Sequence, residues 1–289
     1  QEETISASHD DFVKGAVAKG IRRESAERIF EQILYFGGYG FKKCHSTCYA
    51  LLAYQTAYLK THYPAEYMAA LMTYEMVDSD KLREYVQEAG RMGLRVLPPD
   101  INESDKEFAV VADDTIRFGL EAVKGVGGKA VEAIVASRRD VGRFRSLHQF
   151  CDVVDHRQVH RAVIESLIKC GAFDSLGARR AQLLAALEEA VRMGERVQAD
   201  RRIGQMSIFD QATGSAATEP PRLAEVAEFP PPTLLAMEKE TLGFYLSRHP
   251  LAQHEHLLER FTTARAEDLR DRPAGERVGG NRHDGRTAQ

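Results

Sequence analysis

The sequence predicts a mainly helical fold with one small β element, and three observations carry that expectation. Residues 21–36, IRRESAERIFEQILYF, place Ile29, Phe30, Ile33 and Leu34 on one face with charges opposite, the pattern of an amphipathic helix, before a stop at Gly37-Gly38. The next stretch opens with a Gly-punctuated loop, and its Ala-, Leu- and Tyr-rich run is apolar on most faces, which predicts a largely buried helix. Strand character is confined to FAVVADDTIRFGL, where two short β-like runs flank Asp113-Asp114 as a hairpin signal.

The other elements follow in chain order. Pro64 opens a helix over PAEYMAALMTYEM, because proline is tolerated in a first helical turn. Ser79 is expected to cap a helix that runs to about Met92 and stops at Gly93. LRVLPPDIN is extended and interrupted by proline, and from Gly119 to Leu176 short helices alternate with Gly-containing turns. A longer helix is expected from Arg179 to about Arg202. The segment from Ile203 to Thr233, with five Pro and little periodicity, reads as a linker. Short helical stretches near Leu234–Leu242 and Leu251–Phe261 follow, and the last dozen residues lack an apolar pattern and are expected to be a disordered tail.

Composition narrows the function classes. The chain has 289 residues, 43% of them apolar and 28% charged, ordinary for a globular protein and enough for two or three domains. No apolar run reaches the roughly 18 residues of a membrane span, and QEETISASHDD has no hydrophobic core for a signal peptide, so a cytoplasmic location with no membrane partner is expected. A start without Met and a Gly/Arg/His-rich end suggest a piece of something longer. Of the four cysteines, Cys44 and Cys48 with His45 sketch half a metal site, but no second Cys/His pair stands at a usual spacing. Reduced thiols and no metal in this segment are the expectation.

Net charge is −4, which taken whole argues against binding nucleic acid. Locally the balance reverses. Residues 12–62 carry +5 and residues 115–173 carry +4, against −13 for the remainder, the distribution expected when only certain faces meet phosphates.

The most informative motif is AVKGVGGKAVEAIV, residues 122–135. Gly125-Val126-Gly127 between short apolar helices makes a hairpin that exposes backbone N–H groups where the helix dipole favours an anion. Without side chains at the glycines a phosphodiester can approach closely, and Lys129 adds a point charge. This resembles a helix-hairpin-helix element, which grips DNA backbone without reading sequence; Val131 stands where a smaller residue is usual, which affects packing. A second related unit is expected at residues 159–177, with His160 and Arg161 ahead of an apolar helix, and Arg138, Arg139, Arg143 and Arg145 lining the same face.

Five blocks occur in one order: GYGFKKCHSTCYALLAYQTAYLKTHYPAEYMAALMTYEM, PPDIN, IRFGLEAVKGVG, LIKCGAFD and ETLGFYLSRHPL. Together, from about Phe12 to about Phe261, they closely resemble the bacterial DNA polymerase III alpha subunits, the C-family replicative polymerases. The resemblance implies helical fingers in residues 1–110, a tandem helix-hairpin-helix domain that binds duplex DNA in 111–200, and a Pro-rich linker in 201–233. It further implies a helical lead-in to an absent OB domain in 234–261 and a tail in 262–289. It also implies template-directed synthesis from deoxynucleoside triphosphates by the whole polymerase with Mg²⁺, on primer-template DNA and alongside other replicase subunits.

Carried over residue by residue, the resemblance puts Lys43 and His45 at the incoming triphosphate. That accords with cationic donors on a Gly-rich loop. Lys42 stands where Asn is usual and Cys44 where Ser is usual. Tyr49, Tyr54 and Gln55 match the family as well. GQMSIFD, residues 204–210, looks like the family's internal sliding-clamp-binding motif through Gln205, Met206, Ile208 and Phe209. The palm aspartates of the family lie upstream of this region, so no catalytic residue and no metal ligand is assigned and the isolated chain is expected to be inactive. A non-enzymatic helix-hairpin-helix adaptor and a small DNA-repair factor are the alternatives from other classes.

Overall fold

The computed structural model describes residues 7–39, 43–203, 222–248 and 250, together with the pairs 264–265 and 280–281. The chain is mainly helical and divides into two units, residues 1–63 and 64–289. In the first unit, α1 (His9–Ala18) packs on α2 (Arg23–Tyr39) through buried Val13, Ala26 and Phe30, with Phe12 and His9 stacked around the Phe30 ring. Ile29 and Ile33, expected on the buried face, are instead exposed.

The third helix, α3 (Lys43–His62), corrects a larger expectation. Read as largely buried, it carries Tyr49, Leu51, Leu52, Tyr54, Tyr58 and Leu59 in solvent. An all-round apolar helix is buried only if neighbours cover every face, and this unit of 63 residues has two other described helices to offer.

The second unit begins with α4 (Pro64–Tyr74) and α5 (Ser79–Arg91). Asp78, one residue before the expected cap, supplies the oxygen that accepts from the Asp80 and Lys81 amides, and Gly93 takes the left-handed conformation beyond the helix end. The expected β hairpin forms: β2 (Ala109–Ala112) runs antiparallel to β3 (Thr115–Arg117). The extended stretch adds β1 (Arg95–Leu97) parallel to β3, for a sheet order β1-β3-β2 that joins residues on both sides of position 110.

Five helices complete this unit: α6 (Gly128–Val141), α7 (Leu147–Val153), α8 (Arg161–Lys169), α9 (Arg180–Ile203) and α10 (Pro231–Leu242). One core runs through all of them, with Phe144, Phe150 and Phe173 meeting edge to face. The PPDIN segment is its joint. The Ile101 amide donates to Ala172, Asn102 exchanges two hydrogen bonds with the Phe144 backbone, and Ser104 donates to the Phe118 carbonyl at 2.7 Å.

Residues 222–230, expected to be linker, form neither helix nor strand but are bonded to the start of α9, and α10 begins at Pro231, ahead of the expected Leu234. A fixed φ suits prolines at a helix start, so Pro231 and Pro232 extend α10 where the sequence reading saw only linker. In the expected tail, β4 (Ala264–Arg265) pairs with β5 (Gly280–Asn281), and the rest of that stretch lies outside the described residues. Among the described residues, no helix is long and apolar enough to cross a membrane.

Candidate nucleic-acid interface

The hairpin at 123–127 is set by what its residues can adopt. Gly119 admits no side chain, since a Cβ there would lie 2.6 Å from the Glu107 carbonyl carbon, so the chain after β3 passes tightly against the backbone of Lys106 and Glu107. Val123 and Val126 are buried, and the Val126 amide closes the turn onto the Val123 carbonyl at 3.0 Å. Gly125 between them has φ +81°, a conformation costly for residues with a Cβ. Gly127 then caps α6 in an extended conformation without a side-chain bond.

Four residues of this turn face solvent: Lys124, Gly125, Gly127 and Lys129. The amides of Gly128 and Lys129 sit in the first turn of α6, where no intrahelical acceptor exists, and have no partner among the described residues. Val126, named with them from sequence, contributes shape only: its side chain is in the core and its amide is used. Val131 is fully buried, consistent with a packing role.

Two carboxylates stand near this helix start. Glu121 lies against the Gly128 backbone, and Glu132 is one turn on. Both are drawn off by Lys106, whose Nζ is 3.9 Å from Glu121 and 2.8 Å from Glu132. The Lys106 hydrogen bond, then its charge, holds Glu132 below the usual carboxylate range. The Lys124 amide donates to the Thr241 carbonyl at 2.8 Å, so the end of α10 braces the hairpin from behind.

The expected second unit, residues 159–177, covers the start of α8 at His160-Arg161, α8 itself and the turn after it. A turn like the first, with a left-handed glycine leading to a helix start, lies at residues 170–180, between α8 and α9; Gly171 has φ +88° and Gly177 has φ +79°. His160 and Arg161 stand at the opposite end of α8, where Arg161 pairs with Glu165 at 3.2 Å. The expected arginine face is divided as well. Arg138 is spent internally, donating to the Ile101 and Ser104 carbonyls and pairing with Asp105 at 2.7 Å, whereas Arg139, Arg143 and Arg145 are exposed.

The residues around the second turn carried no sequence signal because their partners are distant in the chain. Arg180 packs over Gly171, donates to the Lys169 carbonyl and pairs with Asp174 at 2.7 Å. Glu228, 48 residues on, accepts from the Arg180 amide at 2.9 Å and the Ala181 amide at 3.1 Å. Partial burial pushes its pKa up, but the hydrogen bonds from the Phe229, Ala181 and Arg180 amides and the Arg180 charge outweigh this and hold it below the usual carboxylate range.

The remaining candidates are dispersed. Lys43 and His45, expected on a loop, fall in the first turn of α3; His45 is exposed and its ring stacks on Tyr49 at 4.5 Å, while the Lys43 side chain and Lys42 lie outside the described residues. Gln205, Met206, Ile208 and Phe209 also lie outside them. Cys44 and Cys48 are exposed; Cys151 and Cys170 are buried. Among the described residues, no group of three or more His, Cys, Asp or Glu stands close enough to hold a metal ion.

Comparison with known proteins bears on both units. Residues 93–183 match the family described as "Helix-hairpin-helix motif". The DNA polymerase III subunit alpha of Pasteurella multocida is 42% identical over 92% of this chain, but only 23% of that protein is covered. The subunits of Thermus aquaticus and Escherichia coli are 42% and 41% identical over 89% and 90% of this chain, covering 20% and 22% of theirs. Over about nine-tenths of its length this chain is a homologue of one stretch of the DNA polymerase III alpha subunits, about a fifth to a quarter of their length, with a helix-hairpin-helix motif at residues 93–183.

Proposed function

We propose that this chain is the part of a bacterial replicative DNA polymerase that holds duplex primer-template DNA by its backbone. The open amides of Gly128 and Lys129, in a hairpin that also carries the exposed Lys124 and Lys129, are the observation that carries the reading. Two amides at a helix start and two ammonium groups suit a phosphodiester, and nothing in the turn reads a base edge. Gly125 and Gly127 let the phosphate reach the backbone.

In the same reading, Lys43 and His45 contact the triphosphate of the incoming nucleotide, and Gln205, Met206, Ile208 and Phe209 tether the chain to the sliding clamp. The polymerase would work with other replicase subunits. The clamp assignment predicts that the Gln205→Ala/Phe209→Ala variant loses clamp binding by calorimetry; unchanged affinity would remove the assignment.

Nucleotidyl transfer itself is not assigned to these residues. Two-metal catalysis needs carboxylates converging on ions about 3.5–4 Å apart. The candidate acids here are engaged otherwise: Asp114 accepts from Thr115 and faces Arg95, Asp78 caps α5, and Asp155 pairs with Arg157. Among the described residues these acids do not converge on a Mg²⁺ pair. The chain is therefore expected to bind two primer-template duplexes of unrelated sequence with equal affinity in an anisotropy titration and to extend neither with deoxynucleoside triphosphates and Mg²⁺. Extension by the purified chain, or binding confined to one sequence, would contradict the reading.

A further inference from the structure

The duplex grip leaves the side chains of α3 without a use. From Cys44 to Leu59 every residue of that helix is exposed, Tyr54 by 68% and Tyr58 by 47%. Apolar surface left in water on this scale marks a contact surface. Tyr54, Tyr58 and His62 stand four residues apart, so they follow one another along one side of the helix with a rise of about 6 Å between them. Their rings adjoin: the Tyr54 and Tyr58 centroids are 6.4 Å apart and those of Tyr58 and His62 4.3 Å. We propose that this aromatic stripe is a stacking surface for single-stranded DNA, the unpaired template strand beside the primer end.

Charge selects the occupant. Residues 32–65 include Lys42, Lys43 and Lys60 and not one Asp or Glu. The three acids of the +5 island, Glu24, Glu27 and Glu31, all lie on α2. A phosphate backbone can therefore run along α3 without meeting a carboxylate of that helix. Exposed rings interleaved with cations suit a single strand, because rings take a base of any sequence while cations follow the backbone. A duplex does not suit the stripe, since its bases are already stacked on one another. A lone nucleotide needs one ring, whereas three in a row match consecutive bases. The separation of Tyr54 and Tyr58 is near twice the roughly 3.4 Å rise between stacked bases, so a base entering between them meets a ring on each face. Apolar contact with protein has its own side of α3, through Leu52 and Leu59 seven residues apart, and does not require the stripe.

The polymerase reading supplies the identity of the strand, but the stripe does not depend on the phosphate grip of the first hairpin. Anisotropy titrations of the full chain separate the two, with a short oligothymidylate, an abasic strand of equal length and a blunt duplex as probes. The oligothymidylate is expected to bind roughly tenfold or more tighter than the abasic strand, which carries the phosphates and offers nothing to stack. Tyr54→Ala/Tyr58→Ala is expected to lose roughly 30-fold in affinity for the oligothymidylate, the lower end for two lost stacks. Its slope of log affinity against log salt stays that of the wild type, because no charge is removed, and its affinity for the blunt duplex is unchanged. Tyr54→Phe/Tyr58→Phe keeps the rings and is expected to bind the oligothymidylate within about threefold of the wild type.

Equal affinity of the wild type for the oligothymidylate and the abasic strand would overturn the stacking surface and leave the first hairpin standing. Unchanged oligothymidylate affinity in Tyr54→Ala/Tyr58→Ala, or an equal loss of duplex and single-strand affinity, would do the same. A stable dimer in sedimentation that the oligothymidylate does not dissociate would give this side of α3 to a second copy of the chain and overturn the proposal as well.

Discussion

The four thiols show how far position alone sets chemistry. Burial pushes the Cys151 thiol up to about 12, with Asp152 adding to it, and burial pushes Cys170 to about 12 as well. At pH 8 both stay protonated and shielded, whereas Cys44 and Cys48 face solvent on α3. A disulfide exchange reagent is therefore expected to titrate two thiols quickly in the native chain and all four in denaturant. Rapid reaction of three or four in the native chain would contradict the packing of α7 and α8. The same contrast applies to charge. Arg138 and Arg139 are adjacent in sequence and equal in chemistry, yet one is a carbonyl cap inside the fold and the other is exposed. In the sequence both are candidate DNA contacts, because only the fold decides which way each side of a helix turns.

At the scale of elements, α9 closes onto α7 at a glycine. A Cβ at Gly194 would lie 2.6 Å from the Cys151 carbonyl carbon and 2.8 Å from His156 Nε2, which itself bonds to the Cys151 carbonyl at 2.7 Å. Gln198, one turn on, donates to the Cys151 and Val154 carbonyls and so satisfies the end of α7. Gly194→Ala gains roughly 1 kcal/mol of helix propensity but forces backbone apart, an overpacking penalty of roughly 1–3 kcal/mol. A lower thermal midpoint is expected; a raised one would mean that the two helices do not meet as described. Helix positions in general were legible because periodicity and Gly or Pro punctuation are local, and the β2-β3 hairpin was legible for the same reason. The exposure of α3 was not, since an apolar pattern states what could be buried and says nothing about whether a neighbour is there.

For the whole molecule, the first hairpin was legible in six residues, because a tight turn before a helix start needs Gly125 and Gly127 where they stand. The bond from the Arg180 amide to Glu228 was not, because the two stand 48 residues apart and nothing in a window of sequence joins them. Net charge misleads in the same way: −4 overall conceals the +4 island of residues 115–173, which contains the first hairpin. That island puts charge beside the open amides of α6, so affinity for duplex should be governed by phosphate contacts and fall with salt. The most direct test is the salt dependence of duplex binding by the wild type and by Lys124→Ala/Lys129→Ala. Each lysine lost should reduce the slope of log affinity against log salt by about 0.9, so the double variant is expected to bind any duplex more weakly, with a slope smaller by nearly two units. Equal affinity and equal slope in the two proteins would contradict a phosphate grip at this hairpin.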